Sequence, residues 1–262
     1  MSDMTTRNAG TKALVTGGAQ GIGLAVATQL AAEGCKALAL VGRSEEKGAA
    51  AVATLEKLGV EAIFISADVS RTEDCGRAVE TALKRFGALN ALVNAAATSA
   101  RGSLTDTTPE LFDRIFATNV RGPFFLMQAV VQHLLETGAP GSIVNVLSMS
   151  AHCGQDFLAP YSASKGALAT LTKNAALAYR SNRIRCNAVL PGWMDTEGED
   201  QVQKAFHGAA DDWLEKAEAA QPMGQLVKPD QLAELIAWMA GPRSGVMTGA
   251  LVDYDQNVAG AI

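Results

Sequence analysis

The chain has 262 residues, of which 48% are hydrophobic and 25 are glycine, and it carries a formal net charge of −5 at pH 7. An acidic chain without a basic stripe is not expected to bind nucleic acid or an anionic membrane surface. No apolar run approaches the roughly 20 residues that a transmembrane helix needs, and Met1 to Gly10 lack the apolar segment of a secretory signal. We therefore expect a soluble, cytoplasmic protein.

Short aliphatic runs alternate with longer helical patterns along the chain. The predicted strands are Ala13–Val15, Ala37–Val41, Ala62–Ser66, Ala91–Val93, Ser142–Leu147, Ile184–Leu190 and Ala250–Val252. The predicted helices are Ile22–Glu33, Glu45–Leu58, Glu73–Phe86, Glu110–Glu136, Tyr161–Tyr179 and Asp230–Met239. Apolar strands separated by helices indicate a parallel sheet that is covered on both faces. The predicted fold is a seven-stranded, doubly wound α/β sheet of Rossmann type.

The chain contains no Pro/Ser-rich linker, charge block or internal repeat, so residues 1–262 are predicted to form a single domain. One long stretch, at about residues 193–225, interrupts the alternation between the sixth strand and the last helix. It contains Trp193, Phe206, Trp213 and many acidic residues. Long insertions in compact domains are often functional lids, and a surface excursion without a function is the alternative.

The four cysteines do not indicate a metal site or a disulfide. They form no CxxC pair, and no histidine-rich segment accompanies them. We expect small buried thiols in a reducing compartment. The cysteines are Cys35, Cys75, Cys153 and Cys186.

A glycine cluster follows the first predicted strand and opens the first helix. Gly17, Gly21 and Gly23 have the spacing G-x-x-x-G-x-G, which differs from the G-x-G-x-x-G fingerprint, and no Gly-Lys-Ser/Thr is present. Glycine allows the backbone to approach a diphosphate, and a helix N-terminus offers free N–H groups. A tight structural turn is the alternative, but the α/β context favours a cradle for a phosphate-bearing cofactor.

Tyr161 and Lys165 lie four residues apart on a predicted helix and therefore share a face. A phenol ordinarily titrates near about 10, and a neighbouring ammonium favours its ionised form. We therefore expect Lys165 to lower the pKa of Tyr161 and to make it a general acid–base group. A tyrosine on an apolar helix face can equally be core, and a lysine can equally be a solvated surface residue.

The two motifs together resemble the short-chain dehydrogenase/reductase family, and the resemblance runs through nearly the whole chain. Further matching positions are Asp68-Val69, Asn94, Asn119-Val120, Ser148, Pro191-Gly192 and Thr248-Gly249. The resemblance implies an NAD(P)-dependent oxidoreductase that interconverts a secondary alcohol and a ketone by hydride transfer. Members are usually homotetramers or homodimers, and we expect a homotetramer.

By this resemblance, the catalytic residues are Asn119, Ser148, Tyr161 and Lys165. Tyr161 would exchange the proton of the alcohol, and Ser148 would hold the substrate oxygen. Lys165 would also bind the nicotinamide ribose, and Asn119 would hold a water that leads towards solvent. Ser150 is the second choice for the serine.

The resemblance also implies a cofactor-binding set, in which Thr196 holds the nicotinamide carboxamide. The set is Gly17, Gln20, Gly21, Ile22, Gly23, Arg43, Asp68, Val69, Asn94, Tyr161, Lys165, Pro191, Gly192 and Thr196. Gly42 occupies the position where an acid usually binds the ribose of NAD, and Arg43 can pair with a 2′-phosphate. NADP(H) is therefore favoured. A solvated Arg43 would leave NAD(H) possible, and Gln20 stands where NADP-preferring relatives often carry a second basic residue.

Two segments depart from the family pattern. Asn94-Ala95-Ala96-Ala97 replaces Asn-Asn-Ala-Gly, which places a Cβ near the cofactor and disfavours a positive φ. Asp253-Tyr254-Asp255 replaces Asp-Gly-Gly. Neither change touches the proposed acid–base group.

The predicted substrate pocket is lined by Ser150, His152, Gln155 and Trp193, with Phe157 and the insertion. Aromatic and acidic residues together suit a polar sugar or polyol rather than a steroid or a thioester. One alternative function is a regulatory or scaffold protein that binds the cofactor without turnover. Another is an isomerase or dehydratase on the same fold.

Overall fold

The computed structural model describes residues 6–260. The strands within this range are β1 (Lys12–Thr16), β2 (Ala37–Gly42), β3 (Glu61–Ser66), β4 (Ala91–Asn94), β5 (Gly141–Val146), β6 (Ile184–Pro191) and β7 (Leu251–Tyr254). All of them are parallel and form one sheet in the order β3-β2-β1-β4-β5-β6-β7. The strand order reverses between β1 and β4, and a crevice for a ligand opens at the carboxyl ends of strands at such a point.

The helices in the same range are α1 (Gly21–Ala32), α2 (Glu45–Lys57), α3 (Thr72–Phe86), α4 (Pro109–Phe116), α5 (Gly122–Thr137), α6 (Ala159–Tyr179), α7 (Glu197–His207), α8 (Trp213–Ala219) and α9 (Pro229–Ala240). A π-helical turn at Ala117–Arg121 joins α4 to α5. Short 3-10 turns occupy Met149–Ala151, Arg180–Asn182 and Pro242–Ser244. No helix within residues 6–260 is both long and apolar enough to cross a membrane.

The sheet separates two hydrophobic cores because successive strand residues point to opposite faces. On one face, Leu14 and Leu92 pack with residues of α3, α5 and α6. On the other, Val15 and Val93 pack with residues of α1, α2 and α9. These four side chains have no exposed surface, as expected for strands that are covered by helices on both sides. The predicted doubly wound α/β fold is confirmed.

The largest departure from the predicted elements is the helix expected over Glu110–Glu136. The structure divides it into α4, the π-helical turn and α5. Pro123, in the first turn of α5, has no backbone N–H to continue the α-helical hydrogen-bond ladder. A Cβ at Gly122 would overlap the carbonyl oxygen of Val69, so α5 begins pressed against the loop after β3. The predicted insertion also contains two helices, α7 and α8, that the sequence pattern did not indicate.

Candidate functional site

The glycine loop between β1 and α1 is packed too closely to hold side chains. Gly17 has a φ of +65° and donates its N–H to the Val41 carbonyl at 2.8 Å. A Cβ at Gly23 would overlap the carbonyl of Gly17, and one at Gly17 would lie 3.1 Å from the backbone nitrogen of Ala96. Only glycine satisfies both positions, and the N-terminus of α1 is thereby turned towards the crevice.

A cleft of about 670 Å³ lies beside this loop. The residues of the predicted cofactor set that line it are Gly17, Gln20, Gly21, Ile22, Gly23, Arg43, Asp68, Val69 and Thr196. They come from the ends of β1, β2 and β3 and from the start of α7. The open space above Gly21, where a Cβ would meet nothing within 4 Å, lies at the N-terminus of α1. The cleft therefore fits a dinucleotide whose phosphates meet free backbone N–H groups.

Other members of the predicted cofactor set are outside the described lining of this cleft: Asn94, Tyr161, Lys165, Pro191 and Gly192. Asn94 is 2% exposed, and its side chain donates to Asn145 Oδ1 at 2.8 Å, which ties β4 to β5. Gly192 donates its N–H to the carbonyl of Tyr254 at 3.0 Å. The side chain of Asn94 thus faces the sheet and not the cleft.

The sequence reasoning missed Lys47, which also lines the cleft. Its Nζ donates to Gln20 Oε1 at 2.8 Å and forms an ion pair with Glu197 Oε1 at 3.1 Å. Lys47 lies one helical turn after Arg43, at the point where Ser44 caps α2 by accepting the N–H of Lys47 at 3.3 Å. The Ser44 cap is the sequence signal that could have identified Lys47 as a cleft residue, because it directs the first turn of α2 towards the glycine loop.

The predicted Tyr161–Lys165 pair lies in the first turns of α6, but the structure corrects the expected electrostatics. Lys165 is 2% exposed, its Nζ donates to the Val146 carbonyl at 2.8 Å, and it lies 5.6 Å from the centroid of the Tyr161 ring. Burial raises the pKa of Tyr161 to about 12, while a hydrogen bond with Ser148 opposes that rise. Burial also lowers the pKa of Lys165 to about 8. Desolvation thus outweighs the attraction expected between the two groups.

The two candidate serines have different positions. Ser148 is hydrogen-bonded to Tyr161, whereas Ser150 is buried and donates its hydroxyl to Ser148 Oγ at 3.0 Å. The N–H of Ser150 also donates to Ser148 Oγ, at 3.2 Å. Ser150 therefore orients Ser148, and Ser148 is the serine that faces the phenol.

Asn119 lies in the π-helical turn and is 1% exposed. Its amide is engaged on both sides. Nδ2 donates to the Thr98 carbonyl at 2.9 Å and to Ser164 Oγ at 3.0 Å, and Oδ1 accepts the N–H of Thr98 at 2.9 Å. The side chain of Asn119 therefore fixes the loop after β4 against α6, a positioning role that the sequence reasoning did not assign.

A charged and aromatic wall covers the mouth of the site. Arg101 lies 5.5 Å above the ring of Phe157 and contacts His207 Nε2 through Nε at 3.4 Å. Glu199 accepts the indole N–H of Trp193 at 2.9 Å. The sequence reasoning counted Glu199 only as one of several acids and missed Arg101, because nothing in the sequence shows that the loop after β4 reaches α7.

A closed loop carries the part of this wall formed by Trp193, Glu199 and His207, and we call residues 193–228 the lid. A parallel bridge between Met194 and Val227 joins its two ends, with Asp195 N donating to the Val227 carbonyl at 3.0 Å. Lys228 then pairs with Asp195 at 2.7 Å and with Glu218. The lid is therefore anchored at its base by backbone and by ion pairs.

The sequence comparisons agree with this geometry. A family model described as "Enoyl-(Acyl carrier protein) reductase" matches residues 17–256, nearly the whole chain. The chain belongs to the short-chain dehydrogenase/reductase family. It is thereby an oxidoreductase of a family whose dehydrogenases use NAD(P). No group of three or more potential metal ligands occurs in the part of the chain that the structure describes.

Several short-chain dehydrogenase/reductase relatives match almost end to end. An A-factor type gamma-butyrolactone 1'-reductase (1S-forming) of Streptomyces virginiae is 36% identical, with 93% of each chain covered. An L-rhamnose 1-dehydrogenase (NAD(P)(+)) of Sphingomonas sp. is 32% identical, over 94% of this chain and 95% of the relative. The crystal structure of a dehydrogenase/reductase from Sinorhizobium meliloti 1021 has a TM-score of 0.86 at 33% identity and covers 100% of both chains.

The departures of this short-chain dehydrogenase/reductase from its family pattern are accommodated locally. Ala97 lines the cleft, and among the described residues Arg183 alone, apart from glycines, has a positive φ, so Ala97 is unstrained. Asp253 Oδ1 lies within hydrogen-bond distance of His152 Nε2, at 2.8 Å. His152 therefore faces β7, and Gln155 is exposed, so the structure brings neither residue into the wall formed by Arg101 and Glu199.

Proposed function

We propose that the chain interconverts a secondary alcohol and a ketone, with Tyr161 as the general acid–base group. The supporting observation is the grouping of Ser148, Tyr161 and the buried Lys165 at the carboxyl end of β5, where Lys165 Nζ donates to the Val146 carbonyl at 2.8 Å and lies 5.6 Å from the centroid of the Tyr161 ring. A polar substrate oxygen that enters this position would accept or donate hydrogen bonds to two hydroxyl groups. Family membership supplies the reaction class, and the geometry supports the roles of the residues.

The cleft beside Gly17 and Gly23 would hold the dinucleotide. Its phosphates would meet the N-terminus of α1, which the closely packed glycine loop leaves facing the cleft. When bound, the nicotinamide would exchange a hydride with the substrate carbon and, in its oxidised form, would add positive charge near the phenol. Thr196, at the N-terminus of α7, also lines the cleft and would hold the carboxamide.

The raised pKa of Tyr161 makes the phenol a proton donor at neutral pH in the cofactor-free protein. In ketone reduction, Tyr161 would give its proton to the substrate oxygen, while Ser148 holds that oxygen. With a pKa of about 8, Lys165 would be mostly charged at neutral pH and would stabilise the tyrosinate left behind. Alcohol oxidation would use the same atoms in reverse.

Tyr161→Phe tests this assignment. The variant retains the ring that packs in α6 but removes the group that moves the proton, so kcat should fall at least about a hundredfold, as general acid–base catalysis contributes. Turnover is followed by nicotinamide absorbance with a mixed alcohol and ketone panel. Tyr179→Phe, on the same helix, is the matched control and should keep wild-type turnover. Unchanged turnover in Tyr161→Phe would exclude the mechanism, and no turnover in the wild type would favour the scaffold alternative.

We further propose that NADP(H) is preferred. Arg43 is exposed at the rim of the cleft, and Lys47 lies beside it, so two basic groups can face a 2′-phosphate. Arg43→Ala should weaken NADPH binding about tenfold, as expected for the loss of a charge-assisted hydrogen bond, and change NADH binding little. Cofactor fluorescence titration measures both, with Lys57→Ala at the far end of α2 as the control. Equal losses for the two cofactors would contradict the proposal.

The substrate is proposed to be a polar sugar, polyol or small hydroxy compound, supported by the charged and aromatic wall and by the sugar dehydrogenase among the relatives.

A homotetramer is proposed as the assembly, supported by exposed apolar side chains on α5 and α6. These are Phe124, Leu135 and Leu177, of which Leu177 is 66% exposed. Light scattering after size-exclusion chromatography would test it, and a monomeric mass would exclude it.

A further inference from the structure

The opposite charges of Glu199 and Arg101 lie close to Tyr161, and no direct hydrogen bond joins them. The pKa of Tyr161 is raised by the charge of Glu199 and lowered by that of Arg101, after the larger effects of burial and Ser148. The shortest distance between the two charged groups, Arg101 Nη2 to Glu199 Oε1, is 4.0 Å. That is beyond hydrogen-bond length, so no direct hydrogen bond joins the two groups and each can still bond a polar group that approaches from the side.

Glu199 is held rigidly through one of its oxygens. Oε1 accepts the indole N–H of Trp193 at 2.9 Å and the amide of Gln203 at 2.7 Å. The Glu199 N–H donates to Thr196 Oγ1 at 3.1 Å, which fixes the first turn of α7. None of the hydrogen bonds found within residues 6–260 uses Oε2 of Glu199, although its side chain is only 18% exposed. An oriented carboxylate with a spare oxygen is a hydrogen-bond acceptor for a ligand.

Arg101 is fixed in a similar way on the opposite side. Nη1 donates to the Ser99 carbonyl at 2.9 Å, and the guanidinium lies over the Phe157 ring. Its side chain is 15% exposed. The backbone of this segment is also tied to the start of α6, since Gly102 N donates to the Phe157 carbonyl at 2.9 Å. The loop that carries Arg101 is therefore fixed against the segment that leads into Tyr161.

We propose that Glu199 accepts a hydrogen bond from a hydroxyl on the carbon next to the reacting carbon, while Arg101 donates to an oxygen further along the substrate. This inference rests on the proposed function and names its substrate class: a neutral polyhydroxy compound with a vicinal diol or an α-hydroxyketone. The paired charges match a neutral ligand, and the rings of Trp193 and Phe157 can pack against its carbon–hydrogen face. A substrate that lacks the hydroxyl leaves the Oε2 atom of Glu199 without a hydrogen-bond donor and is disfavoured.

The selectivity test compares matched alcohols that differ in one hydroxyl: butane-2,3-diol against butan-2-ol, and cyclohexane-1,2-diol against cyclohexanol. The wild type should prefer the diols by at least about tenfold in kcat/KM, the effect of one hydrogen bond to a charged group. Glu199→Gln should reduce that preference by about the same factor. Glu215→Gln, an exposed acid on α8, is the matched control and should retain it. An equal preference in Glu199→Gln and the wild type would overturn the inference.

A second readout separates a binding role from a structural one. Glu199→Gln should lower the apparent pKa on the acidic limb of the kcat/KM profile for oxidation, whereas Arg101→Met should raise it, because the two charges act on Tyr161 in opposite directions. Generalised damage to the lid would shift both variants in the same direction, and that result would contradict the inference.

A binding experiment keeps the inference separate from the reaction class. Saturation-transfer NMR with butane-2,3-diol and butan-2-ol should detect the diol alone on the cofactor-loaded wild type, and neither alcohol on Glu199→Gln. Turnover of all four alcohols without any effect of Glu199→Gln would leave the proposed reaction intact and remove the inference. Diol binding that depends on Glu199, without turnover of any alcohol, would retain the subsite and remove the proposed reaction.

Discussion

The proposed cofactor cradle and the lid are two neighbouring parts of one candidate site, and they are built in different ways. The cradle, residues 16–23, is held by backbone contacts to adjacent strands. Thr16 Oγ1 accepts the N–H groups of both Ala95 and Ala96 at 3.1 Å, and Gly17 donates to the Val41 carbonyl. A side chain added at Gly23 would meet backbone that cannot move without disturbing the sheet.

The lid is held mainly by side chains. Trp213 Nε1 donates to Asp200 Oδ1 at 2.7 Å, and Lys228 pairs with Asp195 and Glu218 at the base. Its own small core, of Trp213, Ala217 and Leu226, is separate from the two cores that cover the sheet. Changes in the lid can therefore alter what binds without unfolding the sheet, whereas changes in the cradle affect folding and cofactor binding together.

The largest expected effect is in the cradle. Gly23→Ala should destabilise the protein by about 1–3 kcal/mol through overpacking and should abolish measurable cofactor binding, because the Cβ overlaps the carbonyl of Gly17. Denaturant unfolding and cofactor fluorescence measure the two effects. Gly76→Ala, in the middle of α3 where a Cβ would meet nothing within 4 Å, is the control and should stabilise by about 0.5–1 kcal/mol. A Gly23→Ala variant that binds normally would refute the account of the cradle.

The next largest effect concerns Lys165, which is buried in α6 against the end of β5. Its pKa falls from 10.5 to about 8 in the folded protein, so the folded state releases its proton before the unfolded state does. The contribution of Lys165 to the free energy of unfolding should therefore rise as pH increases from about 8 to about 10.5. Lys165→Met should be more stable than the wild type at pH 7, by up to ~3 kcal/mol, and the difference should shrink over that pH window.

Urea unfolding of the cofactor-free protein at several pH values checks this prediction. Lys173→Met, further along α6 and exposed, serves as the control, and its difference from the wild type should not change over the same window. A constant difference between Lys165→Met and the wild type would mean that the lysine is not desolvated.

A smaller effect is expected at the base of the lid. Lys228→Met removes both ion pairs, and partly exposed pairs of this kind contribute about 1 kcal/mol or less each. Global stability should fall by no more than about 1 kcal/mol, while KM for the alcohol should rise by severalfold with cofactor affinity nearly unchanged. Lys216→Met, whose pair with Asp212 lies on the exposed side of α8, should leave KM unaltered. Equal losses of cofactor and substrate binding would remove the distinction between the two regions.

The smallest effect is expected from thiol modification. Cys35, Cys75 and Cys186 are buried, and burial raises the pKa of their thiols to about 11, 11 and 12. Cys153 is exposed and lies outside both regions. A thiolate-selective reagent should therefore label Cys153 first in the native protein, with a change in stability below about 0.5 kcal/mol. Peptide mass spectrometry identifies the labelled site, and earlier labelling of a buried cysteine would contradict the assigned packing.

The seven strands, the glycine cradle and the placing of Tyr161 and Lys165 on one helix face could be predicted because each depends on local spacing. Apolar runs of strand length and glycines at a strand end encode backbone geometry directly. The break at Gly122-Pro123 was visible in the sequence, but its π-helical form depends on the contact with Val69 in a distant loop. Arg101 could not be assigned, because its partners Glu199 and His207 lie about a hundred residues further along the chain.

The sequence by itself determined the sheet, the glycine loop of the proposed cofactor cradle and the placing of the candidate acid–base pair on one helix, since hydrophobic periodicity and conformational preference act over a few residues. Only the tertiary structure decided the electrostatics of that pair. Burial raises the pKa of Tyr161 and lowers the pKa of Lys165, so the neutral form of each group is favoured. The extent of burial depends on which segments of the folded chain pack around these two side chains. The arrangement of Arg101 and Glu199 at the mouth of the site was decided in the same way, because charge interactions depend on distance in space and not on separation along the chain.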